Sequence, residues 1–475
     1  MQHYRMYLDG QWLDSEAKKD VLDKYARTPF ATIAQTTAGQ VDEAVDSLAR
    51  SFRENRLSAY RRFQILAKAG QLLLEREAEL AETIQKEAGR LIGDARFEVR
   101  RSALACEISA EEAKRIAGEM VPVDAMPGAE NRMCFTMRVP VGVVCCVTPF
   151  NVPLTLLIHK VAPALAAGNT VLIKPTQQAP VSAVKLVEIL LEAGLPPKHI
   201  AIVLGSGAEV GEALLRNQTI AFYSLTGSRE VGERFKQSIG LRRCSLELGS
   251  NAATIVHGDI PNVRNAAVLC AQKGFANAGQ ICMKPQRLYV QDRILDEFVR
   301  EIVAYSESLV VGDPSDPKTQ VGPMISPEEV DRVDAWVREA VSAGATLLAG
   351  GTRVGPVFYR PTVLGNVTSD MKVVCREVFG PVVAVIPYHD IDEAIRLTND
   401  SEYGLQAGVF VSDLSIAMKC AKEIETGSVI INDTCFCRFD NMPYGGIKKS
   451  GAGGKEGPRY VIENMTDVRT VVLTL

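Results

Sequence analysis

Residues 139–147 read VPVGVVCCV, a nearly continuous run of β-branched and small apolar residues. Such a run is typical of a parallel strand that is buried on both faces. A second short run, 169–173, follows it, and residues 153–167 between the two are long and apolar enough for a crossover helix. The alternation continues over four more segments, at 181–193, 200–203, 208–215 and 222–225. Strands that alternate with helices in this way predict an α/β fold with a doubly wound parallel sheet.

Further elements are predicted on both sides of this sheet. Apolar positions recur at helical spacing after Asp42, and a second helical stretch is predicted from about Leu91 to Glu119. A second alternating series of strands and helices runs from Ala252 to Asn432, and the Pro- and Gly-containing segment 120–137 predicts a protruding hairpin. Because 475 residues exceed the size of a single core, we expect two or three domains.

The composition is that of an ordinary soluble globular protein, with 47% hydrophobic and 23% charged residues. A net charge of -4 gives no signature of binding to nucleic acid or to an anionic membrane, so a small-molecule partner is expected. The N-terminus lacks the apolar segment of a signal peptide. The eleven cysteines and five histidines show no metal-ligand spacing. These features predict a reduced, cytoplasmic protein without a metal or disulfides.

Several motifs follow one another along the chain in a characteristic order. They are TPFNVP at 148–153, KP at 174–175, LTGSREVG at 225–232, LELG at 246–249, GFANAGQIC at 274–282 and EVFGP at 377–381. In sequence and spacing the set resembles the NAD(P)-dependent aldehyde dehydrogenase superfamily. The resemblance extends from YLDGQW at 7–12 to PYGG at 443–446. Within the superfamily, the pattern is most similar to dehydrogenases of lactaldehyde, phosphonoacetaldehyde and sulfolactaldehyde, and to the non-phosphorylating glyceraldehyde-3-phosphate enzymes.

The resemblance implies three structural units. The first is a Rossmann-like NAD(P)-binding domain over 1–119 and 138–248, and the second is an α/β catalytic domain over 249–440. The third is a small β element for oligomerisation, over 120–137 and 458–475. The family forms homodimers or homotetramers, and either is expected here.

The resemblance also implies a catalytic group of three residues. Cys282 is the nucleophile, since a thiolate that attacks an aldehyde forms the tetrahedral thiohemiacetal from which a hydride can leave. Asn151 and the backbone N–H of Cys282 stabilise the oxyanion. Glu247 activates the water that hydrolyses the thioester. The alternatives are a small buried cysteine, a turn asparagine, and an acid that forms salt bridges with nearby arginines, Arg242 and Arg243.

A second implied group binds NAD or NADP. It comprises Thr148, Phe150, Lys174, Gln177, Gly207, Gly227, Ser228, Glu377 and Phe379. Gly227 and Ser228 follow a predicted strand and begin a helix, where a pyrophosphate binds well. Gln177 stands where NAD-preferring relatives often carry a glutamate that repels a 2′-phosphate, so NADP is not disfavoured. Ser250 is a second departure, because the family usually has glycine there.

Three residues are candidates for binding the substrate tail. By resemblance, Arg101 and His159 fall at tunnel positions, and Arg438 lies in a loop near the tunnel mouth. Arginine binds phosphate, sulfonate or carboxylate through its planar fork, and histidine can add a donor. We therefore expect a short aldehyde with an anionic or hydroxylated tail. The alternative for each residue is a structural salt bridge.

Other functions remain open from the sequence. The substrate alternatives are succinate semialdehyde or a broad range of aldehydes. A coenzyme A-acylating relative is disfavoured by Glu247, which such enzymes lack at this position. A cysteine hydrolase would want a paired histidine, and none is placed by motif. A non-catalytic binding or structural protein on the same fold would be expected to have lost Cys282, Glu247 or Asn151.

Overall fold

Seven strands from the first half of the chain and one short strand from near its end build an eight-stranded sheet whose five strands from Arg243–Glu247 to Ile200–Ile202 are parallel. The computed structural model describes all 475 residues. In spatial order the eight strands are Gly451–Ala452, Arg243–Glu247, Ile220–Thr226, Val143–Thr148, Thr170–Pro175, Ile200–Ile202, Met6–Leu8 and Gln11–Leu13. Chain order reverses between Val143–Thr148 and Ile220–Thr226, which confirms the predicted doubly wound topology. Ligands bind beyond the carboxyl ends of the strands at such a reversal, so the site is expected there.

Helices cover both faces of this sheet and enclose the largest apolar core of the protein. They are Ala38–Glu54, Ala59–Glu75, Glu77–Ala88, Ile92–Ala113, Pro153–Ala167, Val181–Glu192, Glu212–Arg216, Arg229–Ser238 and Pro458–Asn464. The helix Pro153–Ala167 is the predicted crossover, and almost all of its residues are buried. It begins with proline in its first turn, where the missing N–H has no intrahelical partner to lose.

The second half of the chain forms a seven-stranded sheet that is parallel except at one edge. In spatial order its strands are Thr346–Ala349, Thr362–Gly365, Val382–Tyr388, Arg287–Gln291, Ala253–Val256, Gln406–Phe410 and Ser428–Ile431. Its helices are Val263–Phe275, Leu295–Ser308, Pro327–Ser342, Lys372–Cys375, Ile391–Asn399 and Leu414–Glu423. The predicted second α/β series is therefore present. None of the protein's helices combines the length and the apolar character that crossing a membrane requires.

Four small sheets complete the fold. They consist of Gln2–Tyr4, Pro29–Ala34 and Lys18–Leu22; of Arg353–Val354 and Phe358–Tyr359; of Tyr403–Gly404 and Ile447–Lys448; and of Thr466–Thr474, Arg132–Pro140 and Met120–Val121. In the last of these, the long terminal strand pairs antiparallel with Arg132–Pro140 over its whole length. The helix Pro458–Asn464, by contrast, packs on the crossover helix. The predicted domain bounds stay a prediction.

Three predictions of local structure were wrong in detail. The run 139–147 is divided between two strands, because Gly142 turns the chain with a φ of 128° before Val143–Thr148 begins. The helix predicted to reach Glu119 ends at Ala113, since Glu119 instead bonds to Thr136 beside the small terminal sheet. The segment 208–215 begins as a wide helical turn, which Ser206 caps, before a short α-helix.

Candidate active site

A cavity of about 690 Å³ opens at the reversal of strand order, between the two halves of the protein. It brings together seven of the predicted site residues: Phe150, Asn151, Gly227, Ser228, Cys282, Glu377 and Phe379. Eight others do not line it, and they are Thr148, Lys174, Gln177, Gly207, Glu247, Arg101, His159 and Arg438. Glu247 nevertheless directly precedes Leu248 and Gly249, which do line the cavity.

Cys282 lies just after a tight turn that aims it into the cavity. Asn277 and Ala278 both adopt left-handed backbone conformations, with φ of 51° and 52°, which is uncommon for residues other than glycine. The Cys282 side chain is partly buried, and its Sγ lies 3.2 Å from the hydroxyl of Tyr444. Burial raises the pKa of Cys282 to about 11, although the Tyr444 hydrogen bond and the Arg438 charge act in the opposite direction. The thiol therefore needs help to ionise.

Asn151 is held rigidly at the cavity wall. Its carbonyl accepts hydrogen bonds from Arg90 Nη1 at 3.0 Å and from Asn277 Nδ2 at 3.2 Å. Its own Nδ2 donates to the carbonyl of Gln280 at 2.9 Å. A side-chain amide has two hydrogens, so the second remains for an oxyanion. The backbone N–H of Cys282 donates to no backbone carbonyl and is similarly free.

Glu247 ends a central strand as a buried acid without a partner. Neither carboxylate oxygen makes a hydrogen bond. Burial and the nearby Glu456 raise its pKa well above the usual range, against the opposing charges of Lys160, Arg438 and Lys455. A side chain at Gly445 would lie 2.6 Å from Glu247 Oε1, so glycine leaves room at this position.

The alternative reading of Glu247 as a salt-bridged acid is wrong. Arg242 donates instead to the Tyr223 hydroxyl and to nearby backbone carbonyls. Arg243 pairs with Asp467 at 3.1 Å. An unpaired buried carboxylate with a raised pKa is suited to accept a proton from water.

The opposite wall carries Glu377 and Phe379. Glu377 Oε1 accepts a hydrogen bond from the backbone N–H of Ser250 at 2.9 Å. Ser250, where the family usually has glycine, therefore positions Glu377 through its backbone and not through its side chain. Burial raises the pKa of Glu377 to about 7. The Phe379 ring meets Phe150 edge-on across the cavity, with 6.0 Å between centroids.

The cavity also contains a place for an anion. Ser228 caps the helix Arg229–Ser238, with Oγ accepting from Val231 N at 3.4 Å. The N-terminus of this helix therefore faces the cavity, where its dipole favours phosphate groups. Four cationic side chains line the cavity, those of Arg229, Arg332, Lys372 and Arg376, together with the acids Glu230, Glu329 and Glu377. The volume and the helix N-terminus fit a dinucleotide.

The remaining predicted cofactor residues lie at the carboxyl ends of neighbouring strands. Thr148 accepts a backbone hydrogen bond from Thr176, and Lys174 is buried with Nζ 3.3 Å from the carbonyl of Pro175. Gln177 accepts a hydrogen bond from Lys19 Nζ at 3.0 Å and donates to Gln35 Oε1 at 2.7 Å. Gly207 lies in the wide turn capped by Ser206.

Arg101, His159 and Arg438 meet in one cluster of charged side chains, although they are far apart in sequence. Arg101 Nε and Nη2 donate hydrogen bonds to the Asp440 carboxylate, at 2.7–3.0 Å. His159 Nε2 lies 2.8 Å from Asp440, and Arg438 Nη2 donates to His159 Nδ1 at 2.9 Å. Glu456 accepts from Arg438 at 3.0 Å and from Lys160 at 2.7 Å. We call these six residues the charged cluster.

The protonation of the charged cluster follows from these contacts. Because His159 Nδ1 accepts from Arg438, its proton lies on Nε2, and burial and Arg438 lower the pKa of His159 to about 4. Burial opposes ionisation of Asp440, but hydrogen bonds from His159 and Arg101 hold its pKa well below the usual range. Lys160 and Arg438 likewise hold the pKa of Glu456 low despite its burial. Within these six residues three cations face two anions, and Glu247 is a further acid that interacts with Lys160 and Arg438.

Sequence reasoning missed four residues of this site. Asp440, Glu456 and Lys160 complete the charged cluster, and Tyr444 connects it to the thiol. The Arg438 guanidinium lies 3.8 Å from the centroid of the Tyr444 ring. Tyr444 lies within the motif at 443–446 and Asp440 lies two residues after Arg438, whereas Lys160 and Glu456 belong to no motif.

A doubly wound sheet with a dinucleotide-sized cavity at its switch point, and a cysteine in the cavity wall, are the features of a dinucleotide-dependent oxidoreductase. The chain belongs to the aldehyde dehydrogenase family, whose model matches residues 12–471. It is an enzyme that oxidises aldehydes.

Individual relatives match over nearly the whole chain. A 3-sulfolactaldehyde dehydrogenase from Priestia aryabhattai is 51% identical over 100% of this chain and 99% of its own. Aldehyde dehydrogenase 21 from Physcomitrella patens, solved with its reaction product succinate, has a TM-score of 0.97 at 35% identity, covering 100% of this chain and 98% of its own. A glyceraldehyde-3-phosphate dehydrogenase from Methanocaldococcus jannaschii complexed with NADP has a TM-score of 0.92 at 34% identity, covering 97% and 100%.

Proposed function

We propose that this enzyme oxidises a short aldehyde with a sulfonate, phosphonate, phosphate or hydroxylated tail to the carboxylic acid, with NAD or NADP as the oxidant. The observation that supports the substrate class is the charged cluster, because Arg438 stacks on Tyr444, whose hydroxyl meets Cys282 Sγ, and so brings a cationic side chain close to the reacting thiol. The relative that acts on 3-sulfolactaldehyde supports the same class.

The reaction begins at Cys282. Its thiolate attacks the aldehyde carbon, a C–S bond forms, and the carbonyl electrons move to oxygen. The free amide hydrogen of Asn151 and the backbone N–H of Cys282 bind that oxyanion. When bound, NAD or NADP accepts the hydride. Cys282 then carries the product as a thioester.

Glu247 completes the turnover. Its carboxylate takes a proton from water, the hydroxide adds to the thioester carbon, and the C–S bond breaks to release the acid and the thiolate. The absence of any partner on Glu247 supports this role, since a base must have a free lone pair. The same residue disfavours transfer of the acyl group to coenzyme A.

The cofactor is held by the residues that line the cavity and by those at the neighbouring strand ends. Gly227 and Ser228 would hold the pyrophosphate, Glu377 and Phe379 would hold the nicotinamide riboside, and Thr148, Phe150 and Gly207 would complete the cofactor site. Lys174 and Gln177 receive the adenosine ribose. Gln177 is neutral and touches Lys19, so no carboxylate repels a 2′-phosphate and NADP is accepted beside NAD.

We further propose a homodimer or homotetramer built on the terminal three-stranded sheet. Its strands expose Met133, Met137, Val468 and Val472, which are 40%, 41%, 58% and 51% exposed. A second copy that covered them would bury this apolar surface. Eleven free cysteines support a reducing, cytoplasmic setting.

Steady-state kinetics with Arg101→Leu tests the substrate class. Wild-type kcat/KM is expected to be at least about tenfold higher for sulfolactaldehyde than for propanal, and Arg101→Leu is expected to abolish that preference while sparing propanal. Arg100→Leu is the matched control, since Arg100 lies next to Arg101 but is exposed and pairs with Glu77. Equal activity of the wild type on both aldehydes, or equal loss on both in Arg101→Leu, contradicts the proposal. Succinate semialdehyde in the same panel tests the alternative substrate.

A further inference from the structure

Tyr444 is a buried tyrosine whose hydroxyl meets the reacting sulfur. It is 3% exposed, and its hydroxyl makes one hydrogen bond, to Cys282 Sγ at 3.2 Å. Two backbone hydrogen bonds with Glu456 fix its main chain, from Tyr444 N at 3.1 Å and to Tyr444 O at 2.6 Å. The hydroxyl is therefore placed at the sulfur by the fold.

Arg438 makes this hydroxyl a stronger donor. Its guanidinium stacks on the Tyr444 ring, 3.8 Å from the centroid, and a cation over the ring face draws electron density from the phenol. Arg438 is in turn fixed by Glu456 and His159. The charged cluster thus acts on the thiol through Tyr444.

The other groups around the sulfur act through charge alone. Glu377 and Glu247 disfavour the thiolate, and Arg438 favours it. Glu247 and Arg438 also face the Tyr444 hydroxyl. Tyr444 supplies the hydrogen bond that Sγ receives from a side chain. A thiolate has no hydrogen, so once Cys282 is ionised the tyrosine must be the donor.

We infer that Tyr444 is a further catalytic residue, which donates a hydrogen bond to Cys282 Sγ, stabilises its thiolate when it forms and aims it into the cavity. The inference rests on the proposed role of Cys282 as nucleophile. A hydrogen bond to a charged acceptor favours the charged form, so losing the hydroxyl makes the thiol harder to ionise.

The test compares the rates of Cys282 alkylation by iodoacetamide in the wild type and in Tyr444→Phe, without cofactor, at several pH values from 7 to 10, with the labelled peptide quantified by mass spectrometry. Below the thiol pKa of about 11 the rate follows the thiolate fraction, so the ratio of the two rates gives the change in pKa. Phenylalanine keeps the ring under Arg438 and removes the hydroxyl alone. The apparent thiol pKa is expected to rise by about one unit, with alkylation at pH 8 roughly tenfold slower. Tyr388→Phe is the matched control, because Tyr388 is also a buried tyrosine and its hydroxyl bonds to His257 at 2.9 Å, and it should leave the profile unchanged.

One result would contradict the inference about Tyr444, and a different result would contradict the proposed function. An unchanged or lower thiol pKa in Tyr444→Phe, with Cys282 still labelled, overturns the inference and leaves the proposed function intact. Full aldehyde oxidation by a Cys282→Ser variant overturns the proposed function itself. If Tyr444 had only a structural role, Tyr444→Phe would change the thermal stability and leave the rate of Cys282 alkylation unchanged.

Discussion

Replacing Glu247 by glutamine is expected to stabilise the protein at neutral pH while almost abolishing turnover. Glu247 is buried, its two oxygens have no partner, and burial raises its pKa well above the ordinary value of 4.5. The folded protein therefore binds a proton that the unfolded chain releases above that value. Stability falls with rising pH wherever the folded state binds more protons.

The size of the effect follows from the pH interval. Each pH unit over which only the unfolded chain releases this proton corresponds to about 1.4 kcal/mol, so the wild type loses stability as the pH rises above 4.5, until Glu247 ionises in the folded protein and becomes the base. Glutamine has a similar shape and does not titrate. The free energy of unfolding of Glu247→Gln should therefore match the wild type near pH 4.5 and exceed it increasingly toward pH 7.

Urea unfolding of both proteins at pH 5, 6, 7 and 8 measures this difference. Glu43→Gln is the control, since Glu43 is exposed on the helix Ala38–Glu54. A stability difference that does not grow with pH would mean that Glu247 is ionised in the folded protein and compensated by Lys160, Arg438 or Lys455, which refutes the reasoning. In kinetics, the loss of the base should lower kcat about 10²- to 10⁴-fold while the first turnover still gives a burst of reduced cofactor.

Two other predictions follow from the site. Asn151→Ala removes an oxyanion donor, so kcat/KM should fall about 100- to 1000-fold in steady-state assays, and a loss below threefold would remove Asn151 from the mechanism. His159, whose pKa burial and Arg438 lower to about 4, should stay neutral from pH 5.5 to pH 9 in an NMR titration. A midpoint near pH 6.5 would contradict the hydrogen-bond directions assigned to the charged cluster.

The sequence predicted the architecture well because local patterns determine it. Apolar runs such as 170–175 and 220–226 are buried on both faces in the sheet, and the crossover helix 153–167 is apolar almost throughout. Errors arose where one residue changes the chain direction within a uniform apolar run, as Gly142 does. Periodicity of side-chain type contains no information about such a turn.

The site was harder to predict because its electrostatics depend on distant contacts. Arg101 and Asp440 are 339 positions apart, and Lys160 and Glu456 are 296 apart. No motif spacing indicates that the anions of Asp440 and Glu456 neutralise most of the positive charge carried by the predicted arginines. The role of the Tyr444 hydroxyl likewise depends on its distance to Cys282 Sγ, which only the folded chain defines.

The central claim is that Cys282 carries the product as a thioester that Glu247 releases. The most direct measurement mixes Glu247→Gln with sulfolactaldehyde and NAD or NADP, quenches the mixture in acid, and determines the mass of the peptide that contains Cys282. The expected result is a mass increase equal to the sulfolactyl group, at close to one per subunit, together with one equivalent of reduced cofactor. Reduced cofactor and free acid formed in many turnovers, with Cys282 unmodified, would contradict it.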